Sequence, residues 1–226
     1  MKNICIMLRG ISYSDSYSEG WHKRTGVDYR KCIDSFYENI VNQLEGNVSI
    51  FMVTYESSLT QNIKDEYKPT YCKFKKEIIT KGGCQVKGDI IREDILDMCN
   101  EVEKHENLNS MKFDDFFVIR FDSFIRDNIK EVNIENEKFN FLCKTESGNK
   151  LNEGKITVDD NFFFFPRKYF QSFKAALHNL DTTINGMHDI YESLEKEIGS
   201  ENIHFMFDGE YAITHERPLL YFSREV

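Results

Sequence analysis

Along the first half of the chain, short apolar runs alternate with longer stretches in which apolar residues recur every three or four positions. Asn3 to Leu8 is an apolar run of the kind that forms a strand buried on both faces. From Asp28 the period changes. Ile33, Phe36, Tyr37, Ile40, Val41 and Leu44 fall at helical spacing, with Gly46 standing where a C-terminal cap would. Val48 to Tyr55 then reads as a second buried strand, and a right-handed crossover makes the two strands parallel. Pro69 demotes any strand near it, which leaves Tyr71 to Ile79 as a short edge strand before a turn at Lys81-Gly82-Gly83. Asp89 opens a second amphipathic helix with Ile91, Ile95, Met98, Cys99 and Val102 on one face, ending near Asn107 to Asn109. Phe116 to Phe121 follows as a third buried strand, interrupted only by Arg120.

The alternation weakens after Asp122. Phe139 to Lys144 reads as a strand and Ser147-Gly148-Asn149 as a turn. The run Phe162-Phe163-Phe164-Phe165-Pro166 needs burial on both faces, and Pro166 both stops it and can start a helix carrying Tyr169, Phe170, Phe173, Ala176 and Leu177. A further helix, with Met187, Ile190, Tyr191, Leu194 and Ile198, ends at Gly199. Ile203 to Phe207 is the last strand and delivers Asp208-Gly209-Glu210 into a turn. The expectation is a single α/β domain with a central, mostly parallel sheet flanked by helices, the strands near residues 3–9, 48–55 and 116–121 adjacent at its centre. A chain of 226 residues is long enough for one sizeable core and short for two.

Open α/β sheets place their ligands at the carboxyl ends of the strands. There the first strand ends in Arg9-Gly10, a planar cation and a residue that lets a ligand approach the backbone. It leads into a long polar segment reaching Gly26, a length that favours a binding loop over a plain connection. Thr54 and Tyr55 leave the sheet on the same edge, where an aromatic can stack on a nucleobase or simply pack. Arg120 and Asp122 flank Phe121 at the end of the third strand. A carboxylate delivered there can hold a divalent metal against a diphosphate; an Arg and an Asp at a strand end also form ordinary surface ion pairs.

Composition narrows the partners. The formal charge of −9 argues against a binder of phosphate backbones, so no nucleic-acid partner is expected and any basic site is local. No apolar run approaches the length of a membrane span, and Ile4 to Leu8 is too short for a signal-peptide core, so the chain is expected to begin at Met1 in the cytoplasm. The six cysteines are scattered, without a Cys-x-x-Cys pair, and read as reduced thiols. Strand one is not followed by Gly-x-Gly-x-x-Gly, which weighs against a dinucleotide-binding methyltransferase or oxidoreductase.

Arg9-Gly10, Val118-Ile119-Arg120-Phe121-Asp122 and Asp160-Asn161-Phe162 leading into Phe165-Pro166-Arg167 together resemble a group of glycosyltransferases from giant DNA viruses and some bacteria. The closing pattern from Ile203 to Tyr211, followed by Arg217-Pro218-Leu219, is similar to theirs too. The resemblance implies a GT-A-like fold, a nucleotide-diphosphate sugar donor, a glycan or other hydroxyl acceptor, and a carboxylate motif holding Mn2+ or Mg2+. In that reading residues 1–122 form the nucleotide-binding half and 123–226 the acceptor half. Arg9, Gly10, Thr54, Tyr55 and Arg120 face the donor, Asp122 with His215 or His188 holds the metal, and Asp160 or Asp208 takes the acceptor proton. The usual Asp-x-Asp of such folds is here Arg120-Phe121-Asp122, one carboxylate replaced by a cation that can itself neutralise part of the diphosphate charge. The alternative is a catalytically inactive nucleotide- or sugar-binding or interaction protein on the same scaffold.

Overall fold

Strand β1 (Lys2–Arg9) runs through the centre of the sheet, because both of its faces are apolar and only its first residues reach solvent. The structure, a computed structural model, describes residues 1–13, 27–76, 84–146, 155–211 and 219–222. Lys81-Gly82-Gly83, Ser147-Gly148-Asn149, most of the loop from Gly10 to Gly26, His215 and Arg217-Pro218 lie outside the described residues. β1 pairs in parallel with β2 (Gly46–Tyr55) on one side and β4 (Asp115–Arg120) on the other. Beyond β2 lies the short parallel edge strand β3 (Tyr71–Lys75). Beyond β4 lies β9 (Phe162–Pro166), antiparallel to it, then β6 (Phe139–Phe141) and the edge strand β10 (Ile203–Phe205). The seven-stranded order is β10-β6-β9-β4-β1-β2-β3, so the three strands expected at the centre are adjacent there. One α/β domain with a mostly parallel sheet flanked by helices is therefore the architecture.

Side chains of period two send alternate residues to opposite faces. Cys5, Met7, Phe51, Val53, Phe116, Val118, Phe163 and Phe165 enter one core, covered by helices α3 (Cys84–Asn109), α4 (Phe170–Asn179) and α5 (Ile190–Ile198). Ile4, Ile6, Leu8, Met52, Phe117, Ile119, Phe162 and Phe164 enter the other, covered by α1 (Ile33–Asn39) and α2 (Thr60–Tyr67). The run of phenylalanines is thus split between two cores. Phe116 stacks on Phe165 and Phe170 at centroid distances of 5.3 and 4.6 Å, and Phe117 meets Phe164 at 4.8 Å on the opposite face. At the amino edge of the sheet, buried Glu106 accepts from the Phe113 N–H and Lys112 Nζ, both at 3.0 Å, and from Arg167, fixing the connection from α3 into β4.

Several boundaries differ from the pattern-based reading. Gly46 opens β2 instead of capping α1. A Cβ there would fall on the Lys2 carbonyl oxygen, so the glycine is required by the close approach of β1. The stretch after Ser57 holds α2, whose only buried residues are Ile63 and Tyr67, one turn apart and too few to register as a periodic face. Phe139 to Lys144 divides: β6 stays in the main sheet, while β7 (Lys144–Thr145) joins a second sheet with β8 (Thr157–Val158) and β11 (Glu210–Tyr211). Two short strands follow β10, namely β11 and β12 (Leu220–Phe222), the latter paired with β5 (Ser123–Ile125).

Candidate functional site

The parallel register of β1 and β4 sets Arg9 directly beside Arg120, so two guanidinium groups leave neighbouring strands at the carboxyl edge of the sheet. Like charges on paired positions oppose folding unless they are neutralised. The direction of β9 supplies the neutralisation. Because β9 runs antiparallel to β4, the residues just before it, Asp159-Asp160-Asn161, arrive at the edge where β4 ends, and the Arg120 N–H donates to the Asn161 carbonyl at 3.2 Å.

Each arginine then meets its own carboxylate. Arg9 donates to the Asp160 carbonyl and, at 3.1 Å, to its Oδ2. Arg120 grips Asp122 with both Nε–Oδ1 at 2.8 Å and Nη2–Oδ2 at 2.7 Å, while Nη1 donates to Asn161 Oδ1 at 3.0 Å. Such bidentate pairing is the strongest form of the contact. Asn161 is held in turn by Asp159, which accepts from its backbone N–H and its Nδ2, each at 2.9 Å. His188, in the 3-10 turn Gly186–Asp189 ahead of α5, donates from Nδ1 to the Val158 carbonyl at 2.7 Å. That leaves Nε2 facing Asp160 Oδ1 at 3.9 Å.

The charges perturb one another strongly. Burial alone would raise the Asp160 pKa, but His188, Arg9 and Arg120 outweigh it and hold the carboxyl well below the usual range. Burial opposes the charge on Arg120, yet the Asp122 and Asp160 carboxylates overcome it and push its pKa up. Exposure within the cluster is uneven. The Asp122 and Asp160 side chains are 4 and 7 % exposed, whereas those of Arg120 and His188 are 20 and 18 % exposed. Arg120 and His188 therefore form the rim, above the two carboxylates and the deeply buried Arg9, whose side chain is 2 % exposed.

The other residues singled out by sequence fall around this cluster. Gly10 has a φ of +94°, in the left-handed region that favours glycine, and no atom of the described residues lies within 4 Å of where a Cβ would stand. Thr54 is buried; its Oγ1 accepts from the Ser12 N–H at 3.1 Å and donates to Ser12 Oγ at 2.8 Å, anchoring the loop that leaves β1. Tyr55 is buried as well, and burial together with the Asp94 carboxylate pushes its phenol up to about 12. Asp208 is exposed in the loop after β10. That is the same edge of the sheet but two strands from β9, roughly 10 Å sideways at ordinary strand spacing. Pattern reading did not single out Asp159 as a site residue, nor the buried Asp94 of α3, which pairs with Lys75 of β3. For Asp159 the signal was present: a polar triplet abutting a run that must be buried.

An Mn2+ or Mg2+ ion bridging Asp122 to a diphosphate needs carboxylate oxygens free to bind it. Here both Asp122 oxygens are taken by Arg120, both Asp159 oxygens by Asn161, and Asp160 is divided between Arg9 and the facing His188. Among the described residues no three His, Cys, Asp or Glu side chains converge as metal ligands. Among the described residues, which do not include His215, the arrangement does not fit a resident divalent ion.

No protein-family model matches the sequence, and no curated protein matches it. Solved structures do. A nucleoside-diphosphate-sugar pyrophosphorylase from Vibrio cholerae superposes with a TM-score of 0.50 at 12% identity, covering 98% of this chain and 95% of that one. At that identity the likeness is one of fold, and it extends over nearly the whole of both chains. No helix among the described residues is long and apolar enough to cross a membrane.

Proposed function

We propose that the protein is a glycosyltransferase that moves a sugar from a nucleotide-diphosphate donor to a hydroxyl of a glycan or other acceptor. One observation carries the reading: Arg120, partly exposed and backed by the buried Arg9 on the neighbouring strand, sits at the carboxyl ends of the central strands, where this class of sheet binds ligands. The ligand class named for the Vibrio cholerae protein, a nucleoside-diphosphate sugar, supports the same choice. Residues 1–122 would hold the nucleotide and 123–226 the acceptor, with Arg120 at the rim meeting the diphosphate, Arg9 positioning Asp160 behind it, and Gly10 admitting the ligand to the backbone.

In the reaction the bond from the sugar's anomeric carbon to the diphosphate oxygen breaks with its electron pair, and an acceptor oxygen bonds to that carbon as it loses its proton. Charge develops on the departing diphosphate, where Arg120 is placed to stabilise it. Of the two candidate bases, Asp160 binds protons too weakly, being held as an anion by His188 and Arg9. That leaves Asp208, exposed at the same edge, as the candidate base. The saturation of Asp122 and Asp160 by internal partners favours one second reading, a nucleotide-sugar-binding protein without catalysis.

Incubation with a panel of nucleotide sugars, following release of nucleoside diphosphate with and without glycan acceptors, tests the proposal. Acceptor-stimulated release supports transfer. Binding without release supports the second reading, and conversion with pyrophosphate into a nucleoside triphosphate would replace sugar transfer by nucleotidyl transfer.

A further inference from the structure

We propose that this protein engages the diphosphate of its ligand directly through Arg120, with no divalent metal bridging them; the inference rests on the nucleotide-sugar reading above. In a metal-bridged site, carboxylates project their oxygens at the ligand side and the metal sits between two sets of anions. This cluster is built the other way round. Its carboxylates are buried, and every oxygen of Asp122 and Asp159 accepts a hydrogen bond from a protein donor. Its more exposed members are Arg120 and His188.

Charge arithmetic makes the distinction matter. Before His188 is counted, Arg9 and Arg120 against Asp122, Asp159 and Asp160 leave the cluster at −1, by counting +2 and −3. A diphosphate brought to a bare carboxylate surface of that charge would be repelled. With the carboxylates beneath and the guanidinium above, the near charge is positive and the anions act at longer range. Their effect on Arg120 is to keep it charged and oriented in spite of burial. The Nε–H of Arg9 adds a buried donor with no hydrogen-bond partner among the described residues. To admit a metal at Asp122, the bidentate pair would have to break and leave Arg120 partly buried without its counterion.

The test is calorimetric titration of the full chain with UDP, GDP, dTDP, CDP and ADP, in EDTA and again in manganese chloride. At least one nucleotide should bind, with affinities in the two media equal within about twofold. Arg120→Gln should weaken it by at least about tenfold in both media, as loss of a hydrogen bond to a charged group does. In Asp122→Asn the ratio of affinities with and without manganese should stay near one, since there is no metal response to lose. Melting curves accompany each variant; if Arg120→Gln does not fold, the chelation comparison and the Asp122→Asn ratio decide. Binding that appears only with manganese, or a manganese enhancement abolished by Asp122→Asn, overturns the inference and leaves the nucleotide-sugar reading standing. Failure of all five nucleotides in both media overturns the two together.

Discussion

Replacing Arg9 with Met is the most informative single change to the buried cluster, because it keeps most of the stem and removes the charge and the hydrogen bonds that Arg9 gives Asp160. Both side chains are nearly inaccessible, at 2 and 7 % exposure, so the pair is screened little by solvent. Removing one partner of a buried pair costs about 3–5 kcal/mol, chiefly because the other charge is left uncompensated. Here Arg120 and His188 still face Asp160, which places the loss near the lower end, about 3 kcal/mol. For a chain of this size that corresponds to a fall in melting temperature of about 6–12 °C at pH 7.

The pH dependence gives the result a signature. In the wild type the folded pKa of Asp160 lies below its unfolded value of about 3.9, so its ionisation stabilises the fold above that pH and the contribution is lost as pH falls through the folded pKa. Without Arg9 the burial contribution, which raises the pKa, gains ground. The folded pKa of Asp160 is then higher in Arg9→Met than in wild type, and the variant's deficit should shrink as pH is lowered from 7 through that raised value. Adding Asp160→Asn to Arg9→Met removes the orphaned charge and should restore most of the loss, since a buried pair replaced as a whole is often neutral. Circular-dichroism melts of the four proteins across that pH range supply the cycle. A single variant melting within about 2 °C of wild type at pH 7, or a double variant no more stable than Arg9→Met, would refute the reasoning.

Other changes probe the frame around the cluster. Gly46→Ala, which sets a Cβ against the Lys2 carbonyl, should cost about 1–3 kcal/mol in urea denaturation, as overpacking does. Thr54→Val deletes both bonds to Ser12 and should lower stability by about 1–3 kcal/mol in the same assay, with the buried Ser12 N–H left unsatisfied. Glu106→Met should lose a similar amount, about 1–3 kcal/mol. The Phe113 N–H it serves is buried, whereas Lys112 is exposed and Arg167 partly so, and both can turn to water.

The strands were legible where both of their faces are filled. β1, β2 and β4 are continuous apolar runs, and no other element offers a place to bury them except the middle of a sheet. α2 was not legible, since two apolar residues one turn apart fit a helix and a loop equally. Gly46 misled for a related reason: a glycine after a helical pattern serves as well to begin a strand as to end a helix, and only the nearness of Lys2 decides. At the site, the sequence named Arg9, Arg120, Asp122 and Asp160, but not who pairs with whom. Arg9 and Asp160 are 151 positions apart, and their meeting depends on β9 lying antiparallel beside β4, which no local pattern specifies.

That meeting has no evident structural necessity, which is the strongest reason to look for function in it. At the amino edge, buried Glu106 has a clear task, for it satisfies a backbone N–H at the entry to β4 and ties α3 to the sheet. At the carboxyl edge the charged groups chiefly satisfy one another: Arg9 with Asp160, Arg120 with Asp122 and Asn161, Asn161 with Asp159. Apolar residues of similar volume in such a place would be as stable or more so. A fold that keeps its charges where apolar packing would serve has them set in advance, as the anion binding proposed above would require. The direction of β9 is what makes this possible, because a parallel strand beside β4 would deliver its leading residues to the opposite edge and leave Arg9 beside Arg120 without the Asp160 counterion.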